Sequence, residues 1–400
     1  MKLYLISLLF ISILFPRENK TLSIDIHNFD EIEWWSKFNN NGLNFTEPYI
    51  SLSYRNTFDN YDLLINTHSS NNKIIIGESY IAFHLADRYK VKFGRYYRDF
   101  STYLNDDLSS GSMLIGTNAL PVPKFGLMGE YQIKKNNKFK FTYGLAHSIL
   151  DKNDIYNKPP FVHEKFLYLI KNDDKYEYGF GFVHEAMWAG STYLNGKFPN
   201  SFNDFLKVII SADGDFIEGQ PHANALGNHL GIWDIYFVKK NINNSLKFYY
   251  QHLFEDTSGL RFHNRFDGLW GFEYQDLSTK YNFLLEYINT SNQDREPPYV
   301  NENYYNHSEY TLGWSYKGYV IGNPFLDNIN SNPSKIIHAG ISNGNFNNYK
   351  FKILLSKRID ANDTLKYSFN IRKVFENFST SFFINGSKSQ NVGLRIIYNI

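Results

Sequence analysis

Oily and polar residues take turns along most of this chain, most regularly over its last ten residues. Val392, Leu394, Ile396, Tyr398 and Ile400 alternate there with Asn391, Gly393, Arg395, Ile397 and Asn399. A period of two is a strand with one apolar and one polar face. Two readings fit that strand alone, the edge of a soluble sheet or the closing stave of a membrane barrel. The alternation recurs where Phe139, Phe141, Tyr143 and Leu145 interleave with Lys138, Lys140, Thr142 and Gly144. Leu246, Phe248, Tyr250 and Phe254 do the same against Lys247, Tyr249 and Gln251, with His252 the exception on the oily face. Phe351, Ile353 and Leu355 alternate with Lys350 and Lys352, and Leu365, Tyr367, Phe369 and Ile371 with Lys366, Ser368, Asn370 and Arg372. In water the oily faces would form a core; in a membrane they meet lipid and the lysines line the lumen.

The connections carry further information. Asn136-Asn137, Asn172-Asp173-Asp174, 241–244, Asn347-Asn348 and Glu376-Asn377 read as tight turns, since Asn and Asp tolerate the left-handed backbone such turns need. Longer polar segments lie between them at 96–126, 148–162, 185–228, 255–266, 290–308 and 325–334. Short and long connections largely take turns, the asymmetry of periplasmic turns and extracellular loops. With the C-terminus in the periplasm, every long segment falls outside. The count comes to about 18–20 strands, even if both ends are periplasmic.

The N-terminus favours the membrane reading. Met1-Lys2 is a short basic start, residues 3–15 are apolar apart from Ser7 and Ser12, and a polar stretch begins after Pro16. That run is too short to span a bilayer and matches a secretory leader, so residues 1–20 are expected to be a signal peptide and 21–400 the barrel. Between the leader and a first strand near Tyr49, the sequence predicts at most one short helix, over residues 30–38. Aromatics make up 18% of the chain although mean hydropathy is −0.43, and no later apolar run is long enough for a membrane helix. A net charge of +1 argues against a broad basic field for nucleic acid, and the absence of cysteine excludes disulfides.

Two stretches are more specific than loops require. The first is Gly94-Arg95-Tyr96-Tyr97-Arg98, followed by Ser109-Ser110-Gly111-Ser112 and Gly116 to Pro123; its prolines predict an ordered segment outside the sheet ladder. The second runs from Gly181 through Trp188 to Gly231. Inside it, Phe202, Phe205, Leu206, Ile209 and Ile210 have the spacing of one helix face, a helix that either caps or plugs the barrel or packs against its wall. Together with Phe266-Asp267-Gly268-Leu269-Trp270-Gly271-Phe272-Glu273 and Tyr319-Val320-Ile321-Gly322-Asn323-Pro324, these blocks resemble, in order, the Wzi-like capsule-assembly family of outer-membrane proteins. The resemblance implies an all-β, transmembrane, antiparallel up-and-down barrel of 18 strands that acts as a lectin, tethering capsular or extracellular polysaccharide at the cell surface. That family also carries a periplasmic helical bundle, for which this chain has little room before Tyr49.

Polysaccharide recognition needs aromatic faces against C–H surfaces and planar polar groups for hydroxyls, with cations where the glycan is acidic. The expected contacts are Arg95, Arg98, Trp188, Tyr193, His222, Asn224, Asn228, His229, Arg261, His263, Arg265, Asp267 and Trp270. Each has a bland alternative as a lumen-lining or loop-packing residue. Outer-membrane lipid and lipopolysaccharide, and the barrel-assembly machinery during insertion, are the other expected partners of a monomer in the outer membrane. The competing function is a general porin or nutrient channel. Enzymes are disfavoured: there is no G-x-S-x-G or H-E-x-x-H, and His163-Glu164 and His184-Glu185 lack a second histidine. Asp106-Asp107, Asp213/Asp215 and His222/His229 match no metal-site spacing, so no catalytic residue, metal or cofactor is expected.

Overall fold

The computed structural model describes residues 20–399 except 29–31, 44–46, 71–72, 134–137, 215–224, 256–259, 265, 294–302, 328–332 and 345–346. Residues 1–19, His222, Asn224, Arg265 and Ile400 therefore lie outside the described residues. Eighteen strands form one closed antiparallel ring. They are β1 (Lys20–Asn28), β2 (Tyr49–Thr57), β3 (Tyr61–Ser70), β4 (Ser79–Leu85), β5 (Tyr89–Arg95) and β6 (Pro123–Gln132). Next come β7 (Phe139–Ile149), β8 (Phe161–Asn172), β9 (Tyr176–Trp188), β10 (Asn228–Lys240), β11 (Asn244–Phe254) and β12 (Gly268–Asp276). The last are β13 (Tyr281–Asn289), β14 (Lys335–Asn343), β15 (Tyr349–Arg358), β16 (Lys366–Val374), β17 (Phe378–Gly386) and β18 (Gln390–Asn399). Each pairs with its sequence neighbours, and β18 closes on β1 from Thr21 opposite Asn399 to Asn28 opposite Val392.

The closing stave thus pairs with a strand that the sequence reading passed over. The first strand was expected near Tyr49, yet β1 precedes it: Leu22, Ile24 and Ile26 alternate with Ser23 and Asp25 shortly after the apolar N-terminal run. Asp25 points into the lumen and forms an ion pair with Arg395, its cross-strand partner in β18. Pro123 also departs from expectation, because it opens β6 opposite Arg95. A first strand residue has no need of the missing N–H. Segments 290–308 and 325–334 are parts of a single connection from β13 to β14.

Alternation sorts the wall into two faces. Leu127, Leu145, Leu167, Leu169, Phe180, Phe248, Leu285, Leu355, Phe382 and Leu394 are exposed on the outside, as a lipid-facing band requires. The residues between them turn inward. Turns at one end are short and the connections at the other are long, so the long ones are extracellular.

The lumen is filled. Residues 96–122 (between β5 and β6) and 303–327 (between β13 and β14) enter it from the outer end. Phe100, Met113, Leu114 and Ile115 of the first pack with Tyr304, Tyr305, Trp314 and Ile321 of the second, against inward Phe166, Met187, Leu230 and Ile288 of the wall. Gly340 admits the plug to the wall, since a Cβ there would lie 2.9 Å from the Leu108 carbonyl oxygen. Of the helix expected over 30–38, one turn is present, α1 (Trp34–Lys37). Trp34 stacks on Phe325 at 4.4 Å, and the Glu33 carboxylate accepts from Ser387 Oγ at 2.6 Å and Ser389 N at 2.8 Å.

The helical spacing near 202 is realised as α2 (Phe202–Ile210). Ser201 and Asp204 form a capping box, and Ser211 ends the helix in the left-handed conformation. This helix is neither lid nor plug. It packs on the wall from outside, on residues belonging to the outward set of β7, β8 and β9. The Phe205 ring lies 5.5 Å from His147, 5.5 Å from His163 and 5.0 Å from Trp188, and Lys165 Nζ donates to the Ile209 carbonyl.

Candidate functional site

A chain threaded through a barrel brings backbone donors into a space with little water, and these need acceptors. The wall supplies them from inward polar side chains. Buried Asp234 of β10 accepts from Ser101 Oγ at 2.5 Å, from Tyr168 Oη at 2.6 Å, and from the Tyr103 hydroxyl. Buried Glu286 of β13 accepts from Ser110 N at 2.7 Å, Ser109 Oγ at 2.6 Å and Tyr249 Oη at 2.5 Å. Gln251 Oε1 accepts from Met113 N at 2.9 Å, and the His338 ring donates to the Leu108 carbonyl at 2.6 Å. The plug is therefore latched to the wall at several heights.

A third buried carboxylate, Asp267, stands where β12 begins. Its Oδ2 accepts from Tyr304 Oη at 2.7 Å and its Oδ1 from Asn292 N at 2.8 Å and Asn292 Nδ2 at 3.1 Å. Burial pushes this carboxyl above the ordinary aspartate value, while those hydrogen bonds pull the other way. Asp267 thus ties the β13–β14 connection to the β11–β12 connection and fixes Asn292 at the rim. Beside it opens a cleft of about 400 Å³ lined by Phe266, Trp270, Tyr287, Asn289, Ser291, Asn292 and Lys335. Trp270 rests one ring face on Tyr250 at 3.8 Å and remains 38% exposed, and Phe266 is 61% exposed. Aromatic faces, carboxamides and one ammonium around a shallow open cleft suit a polyhydroxylated chain.

The other expected contacts scatter. Arg261 and His263 are exposed on the β11–β12 connection, and Tyr193 is exposed on the connection that bears α2. Arg95 donates to Pro121 O and Tyr316 Oη, both at 3.0 Å, and Arg98 to Ile115 O at 3.1 Å and Asp106 at 2.7 Å, so both arginines brace the plug. Trp188, Asn228 and His229 are buried. His229 Nδ1 lies 3.0 Å from His184 Nε2 beside α2. The sequence reading missed Asn289, Asn292 and Lys335 of the cleft and the latches Asp234 and Glu286. A lone acid among apolar residues, as in Trp233-Asp234-Ile235 and Leu285-Glu286-Tyr287, was the signal for the latches.

One titration follows from the outer plug. His307 Nδ1 accepts from Glu309 N at 3.2 Å and Tyr310 N at 3.3 Å, which the ring does only when unprotonated there. Burial, with the field of His229 as a lesser cause, pushes its pKa down from 6.5 to about 4. The unfolded ring gains its proton first, so stability is complete above pH 6.5 and is lost as pH falls from there towards 4. The expected local loss is on the order of 2 kcal/mol at pH 5. Amide exchange at Glu309 and Tyr310, corrected for intrinsic rates, should accelerate over that window, and His307→Gln should abolish the dependence. Protection that stays level down to pH 4.5 would refute it.

Comparison with known proteins agrees with the fold. The family model described as capsule assembly protein Wzi matches residues 38–331. Among solved structures the chain is similar to Wzi of Escherichia coli, described as a carbohydrate-binding β-barrel and an outer-membrane protein involved in group 1 capsule assembly; the two share 14% identity over 98% of this chain and 86% of that one, with a TM-score of 0.64. A mutant Rh. blastica porin is similar at 8% identity over 96% of this chain and 98% of that chain, with a TM-score of 0.39, too low to inform function. None of the curated proteins matches the sequence significantly.

Proposed function

The chain belongs to the Wzi capsule-assembly family of outer-membrane proteins, and on that premise we propose that it holds capsular polysaccharide at the cell surface through its outer rim. The carrying observation is the pairing of a plugged lumen with the aromatic and carboxamide cleft at Phe266, Trp270, Asn289 and Asn292. A barrel whose outer connections fill its own lumen is built to present a surface, whereas a general porin needs an open path. In this reading Trp270 and Phe266 stack on sugar rings, exposed Asn292 meets hydroxyls while buried Asn289 holds the loop through Ser291, and Lys335 meets an acidic group. Arg261 extends the cationic edge along the same rim, with exposed His263 beside it. Arg95, Arg98, Asp267, Trp188, Asn228 and His229 act through the loops they brace.

Aromatic truncation tests this. Stacking beyond buried area is worth about 0.5–1.5 kcal/mol per ring. Phe266→Ala with Trp270→Ala should therefore weaken binding of purified protein to the cell's own capsular polysaccharide by roughly tenfold or more. In cells the same variant, like deletion of the gene, should release polysaccharide into the medium without lowering its total amount. Retention equal to that of the unaltered strain would remove the cleft from the mechanism.

A further inference from the structure

We propose that α2 is a membrane-contact element: it sits on the outside of the barrel wall at the upper edge of the lipid band and sets Phe202, Leu206 and Ile210 into the outer leaflet, at the boundary between acyl chains and headgroups. Sidedness comes first. In β8 the outward set includes Leu167 and Leu169, which are exposed in the lipid band, and Lys165 belongs to the same set two residues nearer the outer end. Two residues of strand are about 7 Å. Lys165 reaches the carbonyl of Ile209, so the last turn of α2 lies just above Leu167, on the lipid side of the wall.

The helix has two opposed apolar faces. Val208 and Phe205 face the wall, with Val208 buried and Phe205 among the His147, His163 and Trp188 rings. Phe202, Leu206 and Ile210, four residues apart, form a stripe on the opposite side and are 72%, 45% and 74% exposed. A stripe of that size facing water would be a liability on an exported protein, and here it adjoins a surface already committed to lipid. The wall below is similarly open: Leu167 is 51% exposed and Leu145 53%. Polar satisfaction fits the same place. Ala212 N closes on Lys207 O at 2.9 Å, Ser211 N on Val208 O at 3.3 Å, and Lys165 takes the Ile209 carbonyl, so the C-terminal turn does not depend on water for these carbonyls. Lys207 follows Leu206 by about a quarter turn and can reach headgroup phosphates while its neighbour stays among the chains.

Because the chain has no cysteine, a single nitroxide can be placed cleanly. Phe202→Cys and Leu206→Cys would be labelled in the full-length protein in bilayers of lipopolysaccharide over phospholipid. Leu167→Cys serves as the lipid reference and Ile242→Cys, in the turn between β10 and β11, as the aqueous one. Both test positions are exposed, and heat-modifiable migration confirms folding of each. The expected result is relaxation by oxygen and exclusion of an aqueous nickel chelate, as at Leu167→Cys. Access to the chelate matching Ile242→Cys would overturn the proposal in favour of a solvated helix. Protection from both relaxers would overturn it in favour of a second copy covering the stripe. Neither outcome touches polysaccharide binding at the rim.

Discussion

Excising residues 97–121 together with residues 303–327, each gap bridged by a short glycine–serine turn, should convert the closed barrel into a conducting pore. The ends are ready to be joined, since Arg95 and Pro123 are direct cross-strand partners, about 5 Å apart as such pairs are. The same holds at the other insertion, where Asn289 lies opposite Lys335. Removing the first segment also unseats the second: Tyr305 Oη donates to Met113 O at 2.6 Å and Trp314 Nε1 to Leu114 O at 2.8 Å, and both acceptors would be gone. The wall survives because its strands bond to one another, and Asp234, Gln251 and Glu286 would then face water. A ring of eighteen staves is wide enough for an aqueous channel once emptied. In planar bilayers the intact protein should show no large steady conductance, the single excision intermittent openings, and the double excision ohmic steps. An intact protein that conducts steadily, or a folded double excision that does not, would remove the plug from the account.

That experiment also separates two roles of the outer connections. The cleft at Trp270 lies on the outward face at the outer ends of β12, β13 and β14 and is completed by connections that Asp267 holds together, so losing residues 303–327 should disturb the rim as well as the lumen, whereas losing 97–121 should act on the lumen first. Polysaccharide retention should therefore fall more in the second excision than in the first. Equal losses would mean that the glycan surface spans both insertions.

What was legible beforehand follows from the physics of strands. Period-two alternation assigns each stave an inside and an outside, and it did so correctly for β7, β11, β15, β16 and β18, the last exposing Val392, Leu394 and Tyr398. It passed over β1 because three alternating apolar residues beside an apolar N-terminal run look like its tail. Turn chemistry marked the periplasmic end at 172–176, 240–244 and 374–378. Nothing in alternation tells where a long connection goes. Whether it covers the mouth, enters the lumen or folds down the outer wall depends on contacts between residues far apart in sequence, such as Leu108 with His338 or Lys165 with Ile209. Hence the helix at 202–210 was foreseen by spacing, which left it open between capping the barrel, plugging it and packing against its wall. Trp188 and His229 looked like free contacts for the same reason: the strand places them outward, and only the tertiary fold covers them. Asp267 and Trp270 were expected as contacts from their chemistry, and they lie beneath and within the cleft.

Lys124→Met should cost about 3–5 kcal/mol, the range for removing one partner of a buried ion pair. Lys124 of β6 and Glu164 of β8 meet at 2.7 Å with side chains only 4% and 5% exposed. Its ammonium also donates to Tyr97 O at 2.5 Å and lies 4.5 Å from the Tyr96 ring, so it joins plug to wall as well as strand to strand. Without it, Glu164 would face Glu185, its cross-strand partner in β9 and likewise buried, with no cation between them. Two carboxylates side by side in a dry interior add repulsion to the desolvation each already bears. Glu164→Gln alone should be milder, because Lys124 keeps the Tyr97 carbonyl and can turn towards Glu185. The discriminating variant is therefore Lys124→Met with Glu164→Gln and Glu185→Gln, which removes the lysine and both carboxyl groups at once. Urea unfolding in lipid bilayers, followed by heat-modifiable migration, should show the single lysine variant as the least stable of the three and the triple variant restored by more than half of the loss. A triple variant no better than Lys124→Met would mean that the lysine stabilises through its packing under Tyr96 and not through the charge it balances.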